Sequence, residues 1–367
     1  MGLQRLPLVL YSDATPAEIT AVRSGLPQAT IVPMALPLRE GSPVPAEAAV
    51  AEVLSIGMAS RVEWTTLQQF PRLRLLAVRS AGVSQVDLDA CAEAGVSVCN
   101  VPHFGDPTVA EHTFALLLAL SRRLLLPYQP SATHGAAHWR GWDLAGKTLG
   151  IVGLGHIGRH VAQLGRTFGM TVLAYDVQPD VAAAESSRLR LRSASDLQHW
   201  ARPVDQQELQ ETIQCLPLDE LLRRADVITL HAPYARQTRH LIDAGAIASM
   251  RRGAVLINTA RGGLIDLTAV RAALDSGQLG GVGLDVMEGD ELLLLDEAGT
   301  DAGPVQPRQA WLQSYADLLQ RPNVVISPHN AYNSGEAMQR ILATTIETIQ
   351  AYLAGHAVNV VDLTSWG

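Results

Sequence analysis

The stretch GKTLGIVGLGHIGR, residues 146–159, decides how this chain is read. TLGIV (148–152) is a short apolar run suited to a buried strand. Gly153, Gly155 and Gly158 follow it in GxGxxG spacing, with His156 and Ile157 between them and a helical pattern beyond. In that setting the first glycine makes a tight turn, the second lets backbone approach a pyrophosphate, and the third lets helix pack on strand. The helix start then offers free N–H groups and a positive dipole end to phosphates. Asp176 ends the next apolar run, TVLAY (171–175), 18 residues after Gly158. A carboxylate there can hold a ribose 2′-hydroxyl and repels a 2′-phosphate, and Val177-Gln178-Pro179 brings no Arg to offset it. A packing turn with a strand-end Asp would share some of these letters. The strand–turn–helix context together with Asp176 predicts dinucleotide binding, NAD rather than NADP.

Outward from this stretch the alternation is regular. Strands are readable at 226–231 (DVITLH), 254–258 (AVLIN), 281–285 (GVGLD) and 323–327 (NVVIS), with helical segments around 157–169, 218–224, 243–251 and 266–276. Apolar strands alternating with helices predict an α/β fold with a parallel, doubly wound sheet. The stretch 178–215 is long for one connection; its Arg188, Arg190 and Arg192 read as the solvated face of a surface insertion. Upstream, 6–11, 53–58, 73–83 and 96–101 read as strands of a smaller α/β unit. Between the first two, Pro27, Pro33, Pro37, Pro43 and Pro45 read mainly as loop. Thr108–Leu126 has helical spacing with Glu111 in its first turn. In the following Pro127–Leu144, Trp139 and Trp142 pack either internally or against a second subunit. Gly335–Leu353 reads as a helix returning to the first unit.

Composition narrows the function classes. The 367 residues are 47% hydrophobic and 17% charged, which fits a large core and excludes disorder. A net charge of −8 disfavours nucleic acid as a partner. Among 28 basic residues the only lysine is Lys147, within GWDLAGKT (141–148), which matches the P-loop string GxxxxGK[ST]. A P-loop follows a strand, whereas this Lys-Thr pair precedes one, and Trp142 and Leu144 stand in its loop, so no triphosphate site is expected. Cys91, Cys99 and Cys215 are too scattered for a disulfide framework and read as small buried hydrophobes in a reducing compartment. MGLQRLPLVLY is too short an apolar run for a signal peptide, and Ser121, Arg122 and Arg123 interrupt Phe114–Leu126. A cytoplasmic protein with no membrane span is the expectation.

In open parallel sheets, ligands sit beyond the carboxyl ends of the strands. Four strands here end in polar side chains: His231, Arg261, Asp285 and His329. Arg261 lies in NTARGG, where Gly262 and Gly263 should leave it open surroundings and its planar fork suits a carboxylate. His329 is the natural proton donor or acceptor near neutral pH, and Glu288, Asp290 and Glu291 are candidates for the carboxylate that orients it. His134/His138 and His156/His160 have i,i+4 spacing without an evident third ligand, so no metal is expected.

Taken together, VRSAGV (78–83), VAEH (109–112), GKTLGIVGLGHIGR (146–159), ADVITLHAP (225–233), NTARGGLID (258–266), GLDVMEGDE (283–291) and RPNVVISPHNAY (321–332) resemble the D-isomer-specific 2-hydroxyacid dehydrogenase family. DVMEGDE and SPHNAY look most like its D-lactate dehydrogenase branch. The resemblance implies a Rossmann NAD-binding domain, 109–332, inserted into a smaller flavodoxin-like substrate domain made of 1–108 and 333–367. It implies a homodimer, with the segment after Val109 at the interface, and a small 2-keto or 2-hydroxy acid as substrate. Arg261 would bind the substrate carboxylate and His329 would be the acid/base, oriented by Asp290 where the family has Glu; Glu291 is the adjacent substitute. Backbone N–H groups around Ala81 and Gly82 would also hold the carboxylate. Phe104 stands where the D-lactate branch tends to have a hydroxylated aromatic. Cofactor contacts would fall on His156, Ile157, Asp176, His231, Ala232, Pro233, Thr238, Thr259, Ala260, Arg261 and Asp285, the last on the nicotinamide amide. The rival readings are a dinucleotide-sensing binding protein similar to the co-repressors of this fold, and a sister reductase of hydroxypyruvate or glyoxylate.

Overall fold

The computed structural model describes residues 6–83, 85–125, 140–178, 213–289, 312, 313 and 315–361. Contacts divide the chain into two compact units, one comprising Met1–Phe104 and Ser334–Gly367, the other Gly105–Asp296 and Asp301–Asn333.

The first unit is built on a five-stranded sheet of β1 (Leu8–Ser12), β2 (Thr30–Met34), β3 (Val53–Ile56), β4 (Leu75–Val78) and β5 (Ser97–Cys99). All neighbours pair in parallel, in the order β2-β1-β3-β4-β5, the flavodoxin-like arrangement. Helices α1 (Pro16–Gly25), α2 (Trp64–Leu67) and α3 (Leu88–Glu93) belong to it. The proline-rich stretch read mainly as loop is more ordered than that. Thr15 caps α1 through the Glu18 N–H while Glu18 reaches back to the Thr15 N–H, and Pro16 sits where a helix tolerates it. Pro33 lies within β2 because β2 is an edge strand, where a missing N–H disrupts no ladder on its outer side.

The second unit carries β6 (Thr148–Val152), β7 (Thr171–Tyr175), β8 (Gln214–Cys215), β9 (Val227–Leu230), β10 (Ala254–Asn258), β11 (Leu279–Leu284) and β12 (Val324–Ile326). Their order is β12-β11-β10-β9-β6-β7-β8, again all parallel. The chain starts at β6, steps outward to β8, then returns to the other side of β6 for β9 to β12. This is the doubly wound Rossmann order, and its direction reverses between β6 and β9. Its helices are α4 (Asp106–Ser121), α5 (His156–Thr167), α6 (Leu218–Arg224), α7 (Ala244–Ser249) and α8 (Leu267–Ser276). Both faces of the sheet are buried, which is why its strands read as unbroken apolar runs. Leu149, Ile151, Val227, Val255 and Ile257 join one core cluster, and Val152, Ile228, Leu230 and Leu256 join the other.

Trp142 packs internally against the second unit's core, whereas Trp139 lies outside the described residues. Of the 178–215 insertion, 179–212 lie outside them as well; its end forms edge strand β8 beside β7. In the first unit, α9 (Gly335–Leu353) packs Ile349 with Val9 and Tyr11. Among the described residues no helix is long and apolar enough to cross a membrane.

Candidate active site

The reversal between β6 and β9 puts the glycine loop at the carboxyl edge of the sheet, and the loop's geometry separates packing from openness. Gly153 has φ +96°, and a Cβ there would lie 2.7 Å from the backbone of His231 and Ala232, so only glycine fits. A Cβ on Gly158 would stand 2.1 Å from the Gly153 carbonyl oxygen, the close helix–strand approach expected of the third glycine. At Gly155, the residue before α5, a Cβ would meet nothing within 4 Å. The loop is therefore closed on its protein side and open at its middle glycine, beside the N-terminus of a 12-residue helix. Asp176 secures it from β7: its carboxylate accepts the Leu154 N–H at 2.8 Å and the Gln178 N–H at 2.9 Å. Each oxygen keeps a lone pair that can meet a ribose hydroxyl. His156 is exposed, its Nδ1 3.5 Å from Asp106 Oδ2, and Ile157 is half-buried. These residues fit a dinucleotide.

On the far side of the reversal, β9 is followed by His231. Its Nε2 lies 2.9 Å from Thr229 Oγ1, while its Nδ1 is buried with no hydrogen-bond partner. Burial pushes its pKa down to about 3, so the ring is neutral near pH 7. Thr238 shapes the following turn: its hydroxyl donates to the Pro233 carbonyl at 2.8 Å and accepts the Ala235 N–H at 2.7 Å.

Beyond β10 the turn is formed by Asn258. Its side chain donates to the Arg261 carbonyl at 2.9 Å and accepts the Ala260 N–H at 3.1 Å. Thr259 Oγ1 lies 3.0 Å from Thr113 Oγ1 of α4. Arg261 is exposed, and its guanidinium donates to the Ala260 carbonyl at 2.7 Å. Its surroundings are open as expected, but Gly262 and Gly263 are not there to make that room. A Cβ on Gly262 would fall 2.0 Å from the Met287 carbonyl carbon, and one on Gly263 would fall 2.5 Å from the Tyr234 ring. Those glycines are required by close packing.

Asp285, after β11, is 2% exposed and holds the turn after β12. Its carboxylate accepts the Ser327 hydroxyl at 2.5 Å and the Asn330 and Ala331 N–H groups at 2.8 and 2.9 Å. Its carbonyl accepts the His329 N–H at 2.8 Å. Burial acts to raise its pKa, but hydrogen bonds from His112, Ser327, Asn330 and Ala331 outweigh it and hold the carboxyl below the usual range. His329 has φ +52°, a left-handed conformation costing a non-glycine residue about 1–2 kcal/mol. The Asp285 contacts compensate that strain. The His329 ring meets Tyr332 edge-on, with centroids 6.4 Å apart.

Of the candidate carboxylates for His329, Asp290 and Glu291 lie outside the described residues. Glu288 accepts from His240 Nε2 at 3.0 Å and from Arg239 at 3.4 Å. In the first unit, the Ala81 carbonyl accepts from Asn100 and the Gly82 carbonyl from Ser80. Phe104 is buried, its carbonyl accepting from Arg340 at 2.6 Å. Sequence reasoning missed Asn258 and Ser327 and gave His112 no part; the available signal was a polar residue at the end of an apolar strand or within VAEH.

The family model described as "D-isomer specific 2-hydroxyacid dehydrogenase, NAD binding domain" matches residues 114–204 and 197–331. The glycerate dehydrogenase of Methylorubrum extorquens is 33% identical over 308 residues, covering 81% of each chain. Among solved structures, the D-lactate dehydrogenase of Aquifex aeolicus, complexed with NAD and lactic acid, aligns with a TM-score of 0.72 at 31% identity, covering 95% of this chain and 96% of that one. The pyruvate reductase of Chlamydomonas reinhardtii aligns with a TM-score of 0.75 at 31% identity, covering 95% and 97%. The chain belongs to the D-isomer specific 2-hydroxyacid dehydrogenase family. It is an NAD-dependent oxidoreductase acting on a 2-hydroxy acid.

Proposed function

We propose that the chain interconverts a small 2-keto acid and its D-2-hydroxy acid, lactate-like in size, with Arg261 binding the carboxylate and His329 as acid/base. The observation that carries this is topological. Arg261 follows β10 and His329 follows β12, and only β11 separates them in the sheet. At about 4.8 Å per strand their strands run roughly 10 Å apart, a span that an Arg and a His can bridge with a three-carbon acid between them. NAD carries the hydride. In reduction, the Arg261 fork grips the carboxylate and protonated His329 gives its proton to the carbonyl oxygen; in oxidation, neutral His329 takes the hydroxyl proton. His231, kept neutral by burial, is unsuited to the acid role. In the first unit the reading assigns Ala81 and Gly82 N–H groups to the carboxylate and Phe104 to the substrate side chain. It also assigns a homodimer, tested by light scattering for twice the 39.3 kDa chain mass.

The test is NADH oxidation with glyoxylate, pyruvate, hydroxypyruvate and 2-ketoisocaproate. Pyruvate should give the highest kcat/KM, and absence of turnover with every acid overturns the proposal. The similarity to a glycerate dehydrogenase favours a second reading, hydroxypyruvate reduction, which the same panel separates. His329→Ala should lower kcat about 10²–10⁴-fold while NADH still binds, the usual contribution of a general acid. A near wild-type rate in that variant removes His329 from the mechanism.

A further inference from the structure

The turn that carries His329 is tied to a residue far from it in sequence. His112, on α4, places Nε2 2.8 Å from Ser327 Oγ and 3.4 Å from Asp285 Oδ1. The Ser327 hydroxyl has one proton, and it points at Asp285 Oδ1, 2.5 Å away. Ser327 must therefore accept from His112, which fixes the hydrogen on Nε2. The result is a directed chain from His112 through Ser327 to the Asp285 carboxylate. Asp285 in turn accepts the N–H groups of Asn330 and Ala331 on its side chain and that of His329 on its carbonyl. The His112 side chain is 22% exposed and that of Asp285 1%, so little water is at hand to replace a lost partner.

We propose that His112 is a positioning residue for the proposed acid/base His329, acting through Ser327 and Asp285. This rests on the acid/base reading of His329. The Asp285 carboxylate must stay charged and in place to hold a turn whose central residue has φ +52°. The donors from α4 and the turn after β12 keep it so; burial opposes them, and hydrogen bonds from His112 and Ser327 are among those that keep its pKa low. Without His112, Ser327 is free to rotate away, Asp285 loses donors, and the turn can relax its backbone. His329 then departs from the geometry proton transfer needs, and a displacement of about 1 Å can cost on the order of 100-fold in rate.

The experiment compares wild type, His112→Ala, His112→Gln and His329→Ala in NADH oxidation with pyruvate and hydroxypyruvate, alongside NADH titration by fluorescence. The Gln side-chain amide can put a donor where Nε2 was. His112→Ala is expected to lower kcat about 10–100-fold with the NADH Kd and the substrate KM little changed. His112→Gln should recover most of that loss. A merely structural residue would shift the melting temperature without this split between kcat and KM or this rescue. A wild-type kcat in His112→Ala, with His329→Ala inactive, overturns the positioning role alone. So does a His112→Gln enzyme no faster than His112→Ala when both bind NADH. Turnover by His329→Ala overturns the acid/base reading and the positioning role with it. Should His112→Ala fail to fold, Ser327→Ala breaks the same chain. It is expected to show the same kcat loss, and a wild-type kcat in it refutes the proposal.

Discussion

Adding one methyl group at Gly155 or at Gly158 separates ligand contact from packing. At Gly155 the new Cβ meets nothing within 4 Å, and φ −70°, ψ −161° suits alanine. Alanine is a poorer helix cap than glycine by about 0.5–1 kcal/mol. It also removes unfolded-state freedom worth about 0.4–1 kcal/mol, so the two effects nearly cancel. The melting temperature of the free protein should therefore hardly move. With cofactor present the same methyl occupies the cradle and separates a backbone N–H from a phosphate. Losing one hydrogen bond to a charged group costs about 1.5–3 kcal/mol, which weakens NADH binding roughly 10- to 150-fold. Gly158→Ala is the reverse case. Its Cβ would sit 2.1 Å from the Gly153 carbonyl oxygen, a backbone atom that no rotamer change can move. Overpacking costs about 1–3 kcal/mol even where side chains can adjust, so about 3 kcal/mol is a fair lower figure here. At about 2–4 °C per kcal/mol, the second unit should melt about 6–12 °C lower. Differential scanning fluorimetry with and without NADH, together with fluorescence titration, reads both effects. If Gly155→Ala binds NADH as wild type does, the open glycine is not a pyrophosphate cradle and the argument fails.

Two further outcomes follow from burial. The NMR signal of the His231 ring should stay fixed from pH 8 to pH 5, because its folded pKa is about 3; a midpoint near its ordinary 6.5 would refute its neutral assignment. The unfolded chain takes up that proton first, so the His231 contribution to stability is present above pH 6.5 and is lost as pH falls toward 3. In the first unit, burial raises Tyr11 and Cys91 to about 12 and Cys99 to about 11, from ordinary values of 10, 9 and 9. The unfolded chain ionises these groups first, so stability is full below pH 9 and declines as pH rises toward 12. Urea midpoints at pH 8 and 10.5 should differ accordingly, and equal midpoints would contradict the burial of these groups.

The second unit was legible because its strands are buried on both faces, which makes TLGIV, AVLIN and their neighbours uniformly apolar between helical segments. The first unit hid more. Five prolines masked a capped helix and an edge strand, although Thr15, Pro16 and Glu18 spelled a helix start. At the site, strand-end position found His231, Arg261, Asp285 and His329, since such ends are read directly from hydropathy. It missed Asn258 and Ser327, whose importance comes from hydrogen bonds within turns, and it passed over His112 because no spacing rule links α4 to a residue 215 positions later. The tight surroundings of Gly262 were likewise invisible, because the Met287 backbone that requires them approaches from the loop after β11.

Two histidines follow strands at the same sheet edge, and sequence alone gives no reason to rank them. Their surroundings do. His231 is bound to Thr229 of its own strand, and burial holds its ring neutral near pH 7. His329 stands on a turn in the left-handed region, held there by a carboxylate that accepts from Ser327, Asn330 and Ala331. A fold accepts such strain only where neighbouring contacts over-determine it, and such places are commonly functional. The same contacts divide the two oxygens of Asp285. Two carboxylate oxygens offer about four acceptor sites. Ser327, Asn330 and His112 converge on Oδ1, whereas Ala331 alone reaches Oδ2. Oδ2 thus keeps an acceptor site that a cofactor amide can use while Oδ1 holds the turn that carries His329.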